Sequence, residues 1–417
     1  MSGPISAAEA ARRILAEIPR QPALRMPLDD ALDGVLAEDV VSPIDIPAWT
    51  NSAMDGYAVR GEDVVGAGAE RPVRLRVVEQ IPAGAFPSRR IGPGEASRIF
   101  TGAPVPDGAD SVIRQEDTDE GRETVTIVND RDVGVNLRQA GEDIRRGSRV
   151  LSAGRTLGPA ELGVLASLAV AHPLVYRQPR VAILASGDEI VDVDRPEEIL
   201  GGRKVASSNT HTLSALVRRA GGVPVNLGIA RDTPESIREH LSPALEADLL
   251  VTTAGISVGE HDYLREVLAE LGAEQRFWRL RMRPGAPVGF GILGPVPWIG
   301  LPGNPVSTMV TFELFVRPAI RRMAGHELPF RRSVPVRLGQ AVSLKPRLQH
   351  FLRVTLTHTS EGPEARLTGP QGSGILMSMV LADALLMIPE GQHETPAGAT
   401  AQALRLDEPA HQSEPAF

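Results

Sequence analysis

From Arg180 to Gly325 the chain alternates strand and helix patterns without a break, and this alternation restricts the fold more than any other feature. "RVAILAS" is an apolar strand, "NTHTLSALVRRAGG" a helix closed by Gly-Gly, "VPVNLGIA" a strand, and "TPESIREHLSPALEA" a helix with Pro just inside its start. "DLLVTTA", "GEHDYLREVLAELG", strands around "RLRMRPGAPVGFG" and "VPWIGLPG", and the helix "NPVSTMVTFELFVRPAIRRMAG" continue the series. Apolar runs of strand length between amphipathic helices predict a central, doubly wound, mostly parallel α/β domain over residues 177–328, with both sheet faces covered.

The flanks have a different texture. "ISAAEAARRILAEI" is an amphipathic helix whose start carries the capping-box pair Ser6 and Glu9. Over residues 47–147, short runs such as "VRLRVVEQ", "EASRIF" and "TVTIVND" between Gly and Pro corners predict a β insert domain. Helical patterning returns in "TLGPAELGVLASLAV", so residues 1–46 and 148–176 are expected to form one discontinuous helical linker domain. Residues 329–407 predict a C-terminal β domain, and 408–417 a frayed tail.

In an open parallel α/β sheet, ligands bind outside the carboxyl ends of the strands. Those ends carry "SGDE" (Ser186, Gly187, Asp188, Glu189), "ARD" (Asp232), "TTAGISVGEHD" (Gly255, Ser257, Gly259, Glu260, Asp262), "RPGAP" (Arg283 to Pro287) and "LPGNPVS" (Pro302, Gly303, Asn304, Pro305). Small residues let backbone amides approach an anion, and a loop feeding a helix start is a usual place for phosphate. Carboxylates at the same edge suit magnesium, which is held by a few oxygens together with substrate phosphates. Each piece also has an ordinary structural explanation: a tight strand-to-helix turn, or a helix N-cap, for which Asp232 before "TPES" is a good candidate. In "RLRMRP", Arg279, Arg281 and Arg283 alternate with Trp278, Leu280 and Met282, which predicts one strand with its arginines on a single face. Position favours Arg283, at the strand end, as an oxyanion contact, with Arg279 on the solvated face.

Composition removes several classes of function. The balance of 44 basic against 52 acidic residues, net −8, argues against a nucleic-acid footprint and towards small-molecule substrates. With no cysteine there is no thiol nucleophile and no cysteine metal site. No segment has the length and apolarity needed to cross a bilayer, so a cytoplasmic protein without membrane partners is expected. There is no P-loop lysine and no His-Glu-x-x-His. The residues alone therefore describe a site for a magnesium-bound phosphate compound with a basic wall, worked by positioning and charge neutralisation.

The motifs "NSAMDGYAVR", "RIFTGAPVPDGAD", "AGEDIRRG", "ASGDE", "GISVGEHDY", "RPGAP" and "GLPGNPVS", in this order over nearly the whole chain, resemble the MoeA family, to which the gephyrin E domain and its plant counterpart also belong. The resemblance implies a molybdopterin molybdenumtransferase that inserts molybdate into adenylylated molybdopterin with loss of AMP and with magnesium. It further implies a MogA-like α/β domain, a barrel-like C-terminal domain, and a homodimer whose active cleft lies between the β insert of one subunit and the α/β and C-terminal domains of the other. A MogA-type adenylyltransferase and molybdoenzyme apoproteins are the implied protein partners. Matched position by position, the resemblance assigns catalytic roles to Asp55, Thr101, Asp143, Glu189, Asp232 and Asp262, with Asp232 and Asp262 as magnesium ligands. It assigns loop-shaping roles to Pro302 and Pro305 and molybdate contacts to Arg283, Pro287, Arg353 and Ser373, while Ser186 to Asp188, Gly255, Ser257, Gly259, Gly303 and Asn304 fall to the pterin nucleotide. Two departures from the family pattern stand out: Ala254-Gly255 for Gly-Gly, and Arg283-Pro-Gly-Ala286-Pro for Lys-Pro-Gly-Lys-Pro. The second removes a charge from the expected molybdate pocket, which raises the alternative of a paralogue that binds the pterin nucleotide as a carrier or assembly scaffold.

Overall fold

The computed structural model describes residues 3–255, 263–345 and 347–406. The chain divides into two compact units, one of Met1–Ala37, Gly154–Pro159 and His172–Phe417, the other of Glu38–Ala153 and Ala160–Ala171.

The second unit is built on strands β1 (Gly56–Val59), β2 (Val73–Ile81), β3 (Glu95–Ile99), β4 (Ser111–Arg114) and β5 (Thr124–Ile127), hydrogen-bonded in the order β4-β1-β3-β2-β5. Only the β2–β3 pair is parallel among these. Both faces are packed: Tyr57, Val59, Ala96, Ile113 and Val125 fill one, and Ala58, Ile81, Ile99 and Val112 the other.

In the first unit, helix α1 (Ala7–Glu17) opens with Glu9 N–H donating to Ser6 Oγ at 3.2 Å, the expected cap. Its apolar stripe, Ala7, Ala10 and Ile14, is buried in the same core as Val181 and Leu213 of the α/β layer. That layer follows as β6 (Arg180–Ser186), α2 (Ser208–Arg219), β7 (Val223–Ala230), α3 (Pro234–Leu241), β8 (Leu249–Thr253), α4 (Tyr263–Glu270), β9 (Glu274–Arg279), β10 (Met282–Arg283), β11 (Pro287–Leu293), β12 (Val296–Leu301), α5 (Pro305–Thr311) and α6 (Arg317–Met323). The sheet order is β7-β6-β8-β12-β11-β9, with the first four strands mutually parallel and β11 running antiparallel to both its neighbours, β12 and β9. This is the doubly wound α/β sheet the alternation predicts. Strands β13 (Ser333–Leu338), β14 (Gln349–Thr359), β15 (Gly362–Leu367), β16 (Ala384–Ile388) and β17 (Thr400–Arg405) close into a barrel in the order β14-β15-β13-β17-β16, with β16 returning to β14.

The stretch "RLRMRP" departs from expectation. It is not one strand with three arginines on a face. β9 ends at Arg279, Leu280 bridges to Ile5, and β10 leaves the sheet to pair in parallel with β14 of the barrel through Met282–Gln349 and Arg283–His350. Leu280 and Met282 are buried at 2% and 0% exposure, so burial carries the chain from one sheet to the other. Arg281 is held by Glu390 at 3.1 Å and by the Pro4 carbonyl, and is therefore structural.

His326, just beyond α6, is buried, with Nδ1 3.1 Å from Arg321 Nη2. Burial, then the positive charges of Arg321 and Arg317, push its pKa from 6.5 down to about 4. In the unfolded chain it protonates first, so stability present above the ordinary value is lost as pH falls through this window. The expected loss is of order 3 kcal/mol by pH 4. Thermal unfolding of wild type and His326→Gln between pH 7 and 4 checks it, since the variant loses this component of the slope.

Candidate functional site

At the carboxyl edge of the parallel strands lies a cavity of about 480 Å³. Ser186 and Glu189 after β6, Gly255 after β8, Pro287 at the start of β11, and Pro302, Gly303, Asn304 and Pro305 after β12 all line it, as their positions in the sequence predict. Ser207, Ser208 and Asn209 complete the wall. These three were missed because "SSNT" reads simply as a helix start. Asn209 Nδ2 donates to Thr253 Oγ1 at 2.9 Å and to the Gly303 carbonyl at 2.7 Å, while Thr308 Oγ1 donates to the Pro302 carbonyl at 2.6 Å. The Pro302–Pro305 loop is thus clamped from two helices and one strand.

Both α2 and α5, which continues through the π-helical turn Phe312–Val316 into α6, begin at this cavity, at Ser208 and Pro305. Their positive dipole ends meet at one place, which favours an anion there; at α5 Pro305 has no N–H and Val306 N–H is taken by the Ser373 carbonyl, so the free amide donors come chiefly from the first turn of α2. Ala254 sits in the wall with φ of 68°, a left-handed conformation strained for any residue with a side chain, where the family pattern has glycine.

The acidic edge is a separate cluster. Asp188 Oδ1 accepts from Asp232 N–H at 3.3 Å. Local burial, with the carboxylates of Asp188 and Glu189 adding repulsion, raises the Asp232 pKa above its ordinary value. The cap of α3 is Thr233, whose Oγ1 accepts from Ser236 N–H, rather than Asp232. This leaves the Asp232 carboxylate available at the edge. Ser257, Gly259 and Asp262 lie outside the described residues. Among the described residues no three acidic or histidine side chains converge as a metal cage. Magnesium nonetheless commonly takes one or two carboxylates plus substrate oxygens, and a divalent cation would relieve the repulsion at Asp232.

Arg353 is fully buried on β14. Its Nε donates to Ser378 Oγ at 3.1 Å and Nη2 to the Gly372 carbonyl at 3.1 Å, while Nη1 is buried with no partner among the described residues. Burial lowers its pKa to about 10, so the guanidinium stays charged at neutral pH. The neighbouring Ser373 carbonyl accepts from Val306 N–H at 3.1 Å, which ties this barrel loop to the first turn of α5. Arg283 is exposed and is not part of the 480 Å³ cavity wall, although Pro287 of the same corner is. Gly285, at φ 96°, has the Thr311 methyl where a Cβ would stand, so the corner is pressed onto α5.

In the other unit Asp55 and Thr101 are brought together: Asp55 Oδ1 accepts from both the N–H and the Oγ1 of Thr101 at 2.8 Å. Those two bonds, backbone first, hold the carboxyl below its ordinary pKa. Asp143 is exposed on its turn, with its N–H donating to the Ile46 carbonyl.

Comparison with known proteins adds three family matches along the chain: MoeA N-terminal region (domain I and II) over residues 5–169, probable molybdopterin binding domain over 182–322, and MoeA C-terminal region (domain IV) over 335–406. A molybdopterin molybdenumtransferase from a Nostoc species is 37% identical over 379 residues, covering 89% of this chain and 86% of that protein. Its counterpart in Staphylococcus aureus is 32% identical over 415 residues, covering 99% and 98%. Among solved structures, the molybdopterin biosynthesis moeA protein from Pyrococcus horikoshii OT3 superposes with a TM-score of 0.81 at 28% identity, covering 96% of this chain and 100% of that one. No helix among the described residues is long and apolar enough to cross a membrane.

Proposed function

Because the chain belongs to the MoeA family, and is thereby a transferase of molybdenum cofactor biosynthesis, we propose that it inserts molybdate into adenylylated molybdopterin, releasing AMP with the help of magnesium. The observation that carries this reading is the 480 Å³ cavity onto which two helix N-termini open. The phosphates of a pterin nucleotide suit those amides, and Asn209 and the clamped Pro302–Pro305 loop orient it without reorganisation. Arg353, with a charged nitrogen still to be satisfied beside the loop of Ser373, suits an oxyanion such as molybdate. Asp232, with Asp262 as the resemblance implies, would hold magnesium, which would supply neutralisation of charge on the substrate phosphates. Asp55, kept ionised by Thr101, is a hydrogen-bond acceptor for a ligand hydroxyl. The working form is a homodimer, as the resemblance implies.

The test supplies the purified protein with adenylylated molybdopterin, magnesium and molybdate, and follows AMP release together with molybdenum bound to the pterin. Molybdate-dependent AMP release supports the proposal. Tight binding of the nucleotide without release in the presence of molybdate defeats it and supports the carrier or scaffold reading, which Ala286 favours by removing a charge from the corner. In the same assay Arg283→Ala is expected to raise the molybdate requirement roughly tenfold, as for loss of one charge-assisted contact, with Arg279→Ala near wild type. Equal behaviour of the two variants would show that Arg283 makes no such contact.

A further inference from the structure

The β-rich unit holds a cavity of about 370 Å³ that none of the roles above uses; Tyr57, Gln80, Arg98, Phe100, Glu120 and Arg122 are in its wall. The Arg98 guanidinium lies 4.8 Å from the Tyr57 ring centroid and 5.3 Å from that of Phe100, and its Nη2 donates to Gln115 Oε1 at 2.6 Å. Its Nη1, however, is buried with no hydrogen-bond partner among the described residues. Two rings and an amide fix the plane of the guanidinium while one of its charged donors is left bare. An unmet donor on a cation is costly to bury, and here it borders a cavity that could hold its partner.

The surroundings indicate what would meet it. Arg122 adds a second positive charge to the wall, with Glu120 as a partial counterweight. Glu79 also borders the cavity, but in the β2–β3 register it pairs with Ser97 whereas Gln80 pairs with Arg98, so its side chain belongs to the opposite sheet face. Its Oε1 already accepts from the N–H and the hydroxyl of Ser88. The cavity also adjoins the Asp55–Thr101 pair: Phe100 directly precedes Thr101, Tyr57 is two residues beyond Asp55, and the charge of Arg98 helps keep Asp55 ionised after the Thr101 bonds.

We propose that Arg98 Nη1 grips a phosphate-type oxyanion in this cavity, a subsite for a phosphate group of the small-molecule substrate beside Asp55 and Thr101. The identity of that substrate rests on the function proposed above; the anion chemistry does not. The test titrates the full-length protein calorimetrically with inorganic phosphate, at constant ionic strength set with chloride, for wild type, Arg98→Gln and Arg98→Lys. Arg98→Gln is expected to weaken one phosphate equivalent roughly ten- to a hundredfold, and Arg98→Lys to fall between, since lysine keeps the charge but loses the fork. In turnover, Arg98→Gln is expected to raise KM for the pterin nucleotide by a similar factor with kcat nearly unchanged. Should Arg98→Gln fail to fold, the folded lysine variant decides by the same readings. Unchanged phosphate affinity in the folded variants, or no phosphate binding by wild type, overturns the subsite. Phosphate held at Arg98 in a protein without molybdate-dependent turnover would sink the proposed function and leave the subsite standing.

Discussion

Arg353→Met is expected to yield a protein at least as stable as wild type that needs roughly a hundredfold more molybdate for half-maximal turnover. The two halves of this prediction have one cause. A fully buried guanidinium with Nη1 unmet and no carboxylate partner among the described residues carries a desolvation cost that an apolar side chain of similar length removes, and this offsets the donors lost to Ser378 Oγ and the Gly372 carbonyl. The same unmet charge is what an oxyanion can use. Thermal unfolding and molybdate-dependent AMP release, measured on the same preparation, check both halves. A large fall in melting temperature with unchanged molybdate dependence would make Arg353 a structural residue of the barrel and nothing more.

Asp232→Asn is expected to act in the same opposed way at the acidic edge. Turnover should fall at least a hundredfold, as is typical when a charge-handling group of an active site is removed. The raised pKa of Asp232 means that the folded protein disfavours its ionised form. Its favourable contribution is therefore present at low pH and lost as pH rises from the ordinary 3.8 through the raised value, so the charge is a liability at neutral pH. The amide removes that liability, and the variant should melt higher than wild type when magnesium is absent. Added magnesium should raise the melting temperature of wild type but not of the variant. A magnesium response that survives the substitution would place the ion elsewhere.

Much of this was legible in the chain because the physics was local. Strand and helix periods in residues 177–328 fix the parallel sheet, and that sheet brings Ser186, Glu189, Gly255 and Pro302 to one edge, where they line a common cavity. What escaped depended on partners distant in sequence. "RLRMRP" alternates correctly for a strand, yet no periodicity says that its two halves pair with different sheets. Thr233 rather than Asp232 caps α3, a choice between adjacent good capping residues that only backbone geometry makes. Arg98 sits in an ordinary-looking β run, and its unmet nitrogen is visible only once Tyr57, Phe100 and Gln115 have been folded around it.

The crossing of the chain from β9 to β10 also bears on modularity. The barrel of β13–β17 looks like a unit that could be gained, lost or exchanged at the short connection after α6. Its β14, however, is paired with a strand contributed from the middle of the α/β sequence, 67 residues earlier by the Met282–Gln349 register. Exchange at that connection would leave the Arg283–Pro287 corner without its backbone partner. The sequence around 280–284 and the barrel strand it joins therefore form one backbone-paired unit, although β11, β12, α5, α6 and β13 lie between them in the chain.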